Sequence, residues 1–203
     1  MKEIRAFNFE VRAEENEQHG HFLSGRPIVY GQRTNIGEYD EIIDQGALDS
    51  TDLKDVRFLV NHNVNMIPLA RSRNNNENST MQMVVDSEGM WIRVDLDTEN
   101  NAEAKSLYSA VSRGDITGMS FMFVVDGYAW EDVNTEHPLR RVQSINKVYE
   151  VSAVTFPAYS STSIQARGIA DALDSAKASL DSERARLAGI EKQKKKIRML
   201  MEI

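Results

Sequence analysis

Met81-Gln82-Met83-Val84-Val85-Asp86-Ser87-Glu88-Gly89-Met90-Trp91-Ile92-Arg93-Val94-Asp95-Leu96 is the stretch that decides the fold class. Two apolar runs flank a polar turn, the pattern of a β-hairpin. In the second run Ile92, Val94 and Leu96 alternate with Trp91, Arg93 and Asp95. Side chains alternate across a strand, so the first set is expected to face a core. Gly89 suits a turn position that needs a positive φ.

Outward from this hairpin, more strand-like segments appear. Residues 3–11 alternate, 21–30 end in Ile28-Val29 after Pro27, and 57–60 read as a short buried strand. Residues 121–125 and 148–156 are apolar enough for central strands, and Pro157 ends the latter because it has no N–H for a ladder. Residues 12–20 and 73–80 are polar and read as loops. Two helices interrupt the strands. Residues 101–113 set Ala104, Leu107, Tyr108 and Val111 on one face and stop at Gly114. A shorter helix is expected over 46–53. Gly114-Asp115-Ile116-Thr117-Gly118 follows a helix and lacks the lysine of a phosphate-binding loop, so it reads as a turn. The expectation is a mainly β domain with flanking helices, rich in antiparallel strands.

Composition narrows the chemistry. The 203 residues include no cysteine, which excludes a thiol nucleophile, a disulfide framework and cysteine-ligated metals. Four histidines leave little for a histidine-rich metal centre. With 24 basic and 31 acidic side chains the formal net charge is -7, so nucleic acid is not an expected partner. Met1-Lys2-Glu3-Ile4-Arg5 leads into no signal-like segment and no run approaches a membrane span, so a soluble intracellular protein without membrane association is expected.

The charge is unevenly spread. Residues 1–168 carry 16 basic and 25 acidic side chains, whereas 169–203 carry 8 and 6. Aromatic residues stop at Tyr159. A domain of 1–168 and a helical tail of 169–203 are therefore expected. In the tail Leu173, Leu180 and Leu187 recur every seven residues, with Ala176, Ile190 and Ile197 beside them and Glu183 interrupting. Such a helix either lies on its own domain or pairs with a partner or with itself. The run Lys192-Gln193-Lys194-Lys195-Lys196-Ile197-Arg198 reads as favourable charge near a helix C-terminus or as a weak contact for nucleic acid or an acidic surface.

Few residues can carry catalysis. His62 directly follows an apolar strand, and histidine is the side chain suited to a general base near neutral pH; a structural histidine fits the same context. Ser120, in Gly118-Met119-Ser120-Phe121-Met122-Phe123, sits at the mouth of an apolar strand, as a nucleophile or as an ordinary strand-edge serine. The segment is not the Gly-x-Ser-x-Gly elbow of hydrolases. Glu150 lies in Val148-Tyr149-Glu150-Val151-Ser152-Ala153-Val154 and either faces the surface or pairs with a histidine. Period two groups Glu150, Ser152 and Val154 against Val151, Ala153 and Thr155 without saying which set is inside. His19, His21 and His137 lie in polar stretches.

These segments, in this order, resemble the prohead proteases of tailed bacteriophages, the family typified by the phage with a chainmail capsid. The resemblance rests on Glu41-Ile42-Ile43-Asp44-Gln45-Gly46-Ala47-Leu48, on the strand ending in His62, on Met66-Ile67-Pro68-Leu69-Ala70, on Thr117 to Phe123, and on Tyr149-Glu150-Val151-Ser152-Ala153-Val154-Thr155-Phe156-Pro157-Ala158. Met122 and Ala70 stand where the family commonly has glycine, and Gln45 and Leu48 replace its usual Pro and Phe. The resemblance implies a herpesvirus-assemblin-like antiparallel β-barrel with flanking helices. It implies a serine endopeptidase with Ser120 as nucleophile, His62 as general base and Glu150 orienting His62, with no metal or cofactor. It implies cleavage of scaffolding protein, or of the scaffolding extension of the major capsid protein, and of the enzyme itself. The site of action would be the immature procapsid in the host cytoplasm. Self-association is compatible with it, and removal of the tail by self-cleavage is an open expectation. The rival reading is a non-catalytic or protease-fused assembly protein that acts through the C-terminal helix. Ser120 within hydrogen-bond reach of His62 distinguishes the two.

Overall fold

The computed structural model describes residues 2–7, 11–155 and 166–201. Along the chain run β1 (Lys2–Phe7), β2 (Val11–Asn16), β3 (Gly20–Val29), β4 (Thr34–Asn35), β5 (Asp40–Ile43), β6 (Asp55–Val60), β7 (Ala70–Arg73), β8 (Met81–Asp86), β9 (Gly89–Asp95), α1 (Ala102–Ser112), β10 (Gly118–Glu131), β11 (Leu139–Val154) and α2 (Ala166–Met201). Residues 8–10 of the first expected strand, and 156–158 of the last motif, lie outside the described residues.

The β8–β9 hairpin forms as its alternation predicts. Ile92, Val94 and Leu96 are buried. Gly89 has φ +139°, and a Cβ there would lie 2.0 Å from the Ile28 carbonyl oxygen, so both conformation and space demand glycine. The hairpin belongs to an antiparallel sheet of four strands in the order β2-β3-β9-β8. Strand β2 occupies the stretch expected as a loop. An edge strand needs apolar side chains on only one face, and Val11 with Ala13 supplies them while the charged residues face out. The Asn16 side chain closes the turn into β3 by accepting from the N–H groups of Gln18 and His19 at 3.1 and 2.7 Å.

The second sheet has seven strands. Its spine is the long antiparallel pair β10–β11, with β1 antiparallel on the outer edge of β10. The other edge of β11 is shared. Parallel to it, β5 pairs with Leu139–Val142 and β6 with 150–153, and these carry β4 and β7 respectively. The β10–β11 register shifts between Met122 and Phe123 and several times through 124–128. Bulges bend and twist a strand pair, which lets so long a ribbon curl over the core. Leu23, Ile28, Met90 and Ile92 of one sheet and Phe121, Phe123, Val148 and Val151 of the other join one hydrophobic core.

The sheets do not close into a barrel, contrary to the expectation; their pairing is mostly antiparallel, with β5 and β6 parallel to β11. The seam between β7 and β8 gives the physical reason. Closure there would need a main-chain ladder, but the local backbone donors are taken by side chains. Arg71 N–H donates to Thr80 Oγ1 at 2.9 Å, Arg73 N–H to Ser79 Oγ at 2.9 Å, and Met83 N–H to Asn75 Oδ1 at 2.7 Å. The 73–80 loop, rich in Asn and Ser, therefore links the two sheets through side chains. What stands is a mainly β domain of two open sheets with flanking helices and a long C-terminal helix.

Helix α1 starts where Asn101 caps it, its side chain accepting from Glu103 and Ala104 N–H at 2.9 and 3.2 Å. It buries Ala104, Leu107 and Val111. The expected helix over 46–53 is a series of turns, with Ala47, Asp49 and Thr51 N–H each bonded to the carbonyl three residues back. Helix α2 lies against β1 and buries Ala176 and Leu180. Trp130 Nε1 donates to Ser179 Oγ at 3.0 Å, Arg184 Nε to the Val133 carbonyl at 2.6 Å, and Lys177 pairs with Glu38 at 2.7 Å. Residues 191–200 of α2 are exposed on every side. No described helix is long and apolar enough to cross a membrane.

Candidate active site

Strand register brings the site together. Ser120 on β10 is directly opposite Ser152 on β11, and Met122 is opposite Glu150. Strand β6 runs parallel to the same part of β11, with Leu59 beside Ser152 and Val60 beside Ala153. Its ladder ends with Asn61 N–H on the Ala153 carbonyl at 2.9 Å. The chain then turns sharply, because Asn61 and His62 have φ of 50° and 54°. Non-glycine residues visit this left-handed region at a cost, so neighbours must hold it. The Asn61 side chain does so, accepting from Thr155 N–H at 2.9 Å while its amide donates to Thr155 Oγ1 at 3.1 Å.

This turn swings the His62 ring over β10 and β11. Its Nδ1 is hydrogen-bonded to Glu150 Oε1. Its Nε2 lies 2.5 Å from Ser120 Oγ. The second Glu150 oxygen accepts from Ser152 Oγ–H at 2.5 Å, and Ser152 Oγ accepts from His62 N–H at 3.1 Å. The three side chains singled out in the sequence thus form one line, carboxylate to imidazole to hydroxyl. All are enclosed: Ser120 is 0%, Glu150 3% and His62 7% exposed. A buried carboxylate is costly unless bonded, and here both of its oxygens are.

Ser120 has a second neighbour. Its Oγ lies 2.7 Å from the Arg5 carbonyl on β1, so its single proton has two acceptors within reach. The Arg5 side chain belongs to another buried group. Arg5 Nε donates to Glu41 Oε1 at 2.5 Å and Arg5 Nη2 to Glu3 Oε2 at 2.6 Å. Arg140 Nη1 donates to Glu3 Oε2 at 2.7 Å and to Glu41 Oε2 at 3.1 Å. Burial works against a charge on Glu3, but the hydrogen bond from Arg140 and the charges of Arg5 and Arg140 outweigh it. The Glu3 carboxyl is held below its ordinary value of 4.5.

The other histidines serve elsewhere. His21 Nδ1 bonds Thr98 Oγ1 at 2.7 Å and its ring meets Tyr108 edge-on, joining β3 to α1. His19 lies 3.9 Å from Asp95 and His137 3.4 Å from Asp40. Of the residues that depart from the family pattern, Met122 is next but one to Ser120, and Ala70 opens β7 opposite Phe58. Neither has a positive φ, so glycine is not required there by backbone conformation. Sequence reasoning gave no role to Ser152, to the Asn61–Thr155 clamp or to the Arg5 carbonyl. Ser152 carried a signal, two residues from Glu150 on the same strand face. The Arg5 carbonyl carried none, since any residue offers one.

Comparison with known proteins adds to this geometry. Among solved structures the chain is similar to the capsid assembly protease gp21 of bacteriophage T4, with 12% identity and a TM-score of 0.40, covering 77% of this chain and 99% of that one. No curated protein matches it. The model of the family described as caudovirus prohead serine protease matches residues 7–175. The chain belongs to the caudovirus prohead serine protease family.

Proposed function

We propose that this chain is a serine endopeptidase of capsid maturation in which Ser120 is the nucleophile, His62 the general base and Glu150 the group that orients His62. The supporting observation is the unbroken line from Glu150 through His62 to Ser120. His62 Nε2 takes the proton of Ser120 as Oγ attacks a peptide carbonyl, and the Glu150 carboxylate stabilises the imidazolium that forms. The imidazolium then gives its proton to the leaving amine, and water cleaves the acyl-enzyme by the same route. Attack requires the Ser120 proton to point at Nε2 and not at the Arg5 carbonyl. Because Ser120 has no exposed surface, a substrate carbonyl reaches Oγ only after the surroundings rearrange, the Arg5 carbonyl of β1 being one of the groups in contact with it.

The substrate assigned in this reading is scaffolding protein, or the scaffolding extension of the major capsid protein, together with the chain itself. The work is done inside the procapsid in the host cytoplasm. Residues 1–168 form the protease unit and 169–203 the tail that docks on scaffold or capsid subunits. The exposed, basic end of α2 supports that role for the tail. The His62–Ser120 hydrogen bond speaks for catalysis over a purely structural assembly role.

Ser120→Ala and His62→Ala are each expected to abolish processing of co-expressed major capsid protein while the chain stays folded; retained cleavage in either sinks the assignment. Truncation after residue 190 removes the exposed end of α2 and spares Ala176 and Leu180. Packaging into procapsids is expected to fall, and unchanged packaging removes the tail's role.

A further inference from the structure

We propose that Ser152 is a positioning residue of the catalytic group, acting through Glu150 and His62; this rests on the serine chemistry proposed above. Ser152 is wholly buried on β11, and its hydroxyl is used in both directions. It donates to Glu150 Oε2 at 2.5 Å and accepts from His62 N–H at 3.1 Å. A hydroxyl enclosed in a protein is destabilising unless so bonded, and either bond could have gone to the main chain instead. Here both go to the two residues that serve Ser120.

The first bond fixes the carboxylate. Glu150 Oε1 is the acceptor for His62 Nδ1, and a carboxylate held at one oxygen alone can rotate about its own axis. Ser152 holds the other oxygen and so sets the plane of the group. The second bond fixes the backbone of the base. After Asn61 the β6–β11 ladder stops, and His62 N–H, which in a continued strand would face away from β11, turns instead to a side chain of β11. That is the point where the chain enters the left-handed conformation at φ 54°. Ser152 therefore anchors the turn that aims the ring, and also the carboxylate that the ring is aimed from. The position is reserved for a small hydroxyl. It lies directly across from Ser120, where a larger side chain would separate β11 from the His62 backbone.

Ser152→Ala removes one oxygen atom and adds no bulk. In full-length chain co-expressed with major capsid protein, the expected result is processing slowed by about tenfold to hundredfold, the scale of a misplacement of order 1 Å at a reacting centre. A space-filling role predicts lower thermal stability but leaves the His62–Glu150 hydrogen bond intact. The discriminating readout is the low-field proton resonance of that bond, expected to vanish or move upfield in folded Ser152→Ala. In a Glu150→Ala background, Ser152→Ala is expected to slow processing by no more than about threefold further, because one route is already cut. A wild-type rate with an unchanged resonance in Ser152→Ala overturns the proposal, as do fully multiplicative effects in the double variant. Should the alanine variant not fold, Ser152→Cys has a similar size and a much weaker donor; the same loss of the resonance is expected, and its persistence is equally fatal. Failure of the wild-type chain to process capsid protein overturns the protease reading itself, which separates the two failures.

Discussion

Glu3, Arg5, Glu41 and Arg140 close on one another, whereas Glu150, His62 and Ser120 form a line that ends against the Arg5 carbonyl. Both groups are buried and both are built on β1, β10 and β11 or their parallel neighbours. In the first, two cations meet two anions and each charge has a partner. Nothing is left over to react. In the second, a single carboxylate supports a ring that supports a hydroxyl, and the last oxygen still has a lone pair to offer. The two are also linked. Alternation turns the side chains of Ser120 and Phe121 to opposite faces of β10, and Arg5 is paired with Phe121. Arg5 thus gives its side chain to the ionic cluster and its carbonyl to Ser120. One cluster is closed on itself, and the other is the one to which the protease reading assigns catalysis.

This contrast can be broken at several points. Glu150→Gln is expected to cost about 10³- to 10⁴-fold in processing rate, with little change in unfolding free energy; loss of stability without loss of rate would merge the two clusters into one structural role. Arg140→Ala should do the reverse. Breaking a buried ion pair from one side leaves Glu3 and Glu41 undercompensated and costs about 3–5 kcal/mol by denaturant unfolding. The rate per folded molecule of a surviving fraction is expected to stay near wild type.

A pH titration sharpens the ionic half. The folded Glu3 carboxyl is depressed below 4.5, so its contribution to stability is complete above that value and is lost as pH falls through the folded value. Urea midpoints should therefore drop below about pH 4.5, and Glu3→Gln should flatten that drop. An equally steep fall in the variant would assign the acid sensitivity to other carboxylates. Asn101→Ala lies outside both clusters and is the smallest effect, about 1 kcal/mol from the lost α1 cap, with processing unchanged; a change in rate there would show that α1 is coupled to the site.

The reading from sequence reached one cluster and not the other. His62, Ser120 and Glu150 each stand at or near the end of an apolar strand, and their order along the chain is itself informative. The ionic cluster joins residues 3, 5, 41 and 140, whose sequence neighbours carry no pattern that pairs them; only the register of β1, β5 and β11 does so. The hairpin from Met81 to Leu96 was legible because one face is apolar. Strand β2 was not, since its outward charges outweigh Val11 and Ala13 in any local reading. The outer reach of β10 and β11, from Asp126 to Glu131 and from Leu139 to Asn146, was hidden for another reason. Register shifts through that ribbon break the period of two that would announce it. The barrel was expected from resemblance alone, and side-chain capping at the β7–β8 seam is invisible to a reading by periodicity.

The ionic cluster is divided evenly between β1 and the rest of the sheet. Glu3 and Arg5 come from β1, while Glu41 and Arg140 belong to the body of the sheet. Of this cluster β1 therefore holds one negative and one positive charge, its third charge, Lys2, lying over the Tyr149 ring. The rest of the sheet holds Arg140 and Glu41, 3.1 Å apart and themselves a neutral pair. Displacement of β1 from Ser120, one way to admit a substrate in the protease reading, would thus leave no net charge of this cluster stranded in the interior.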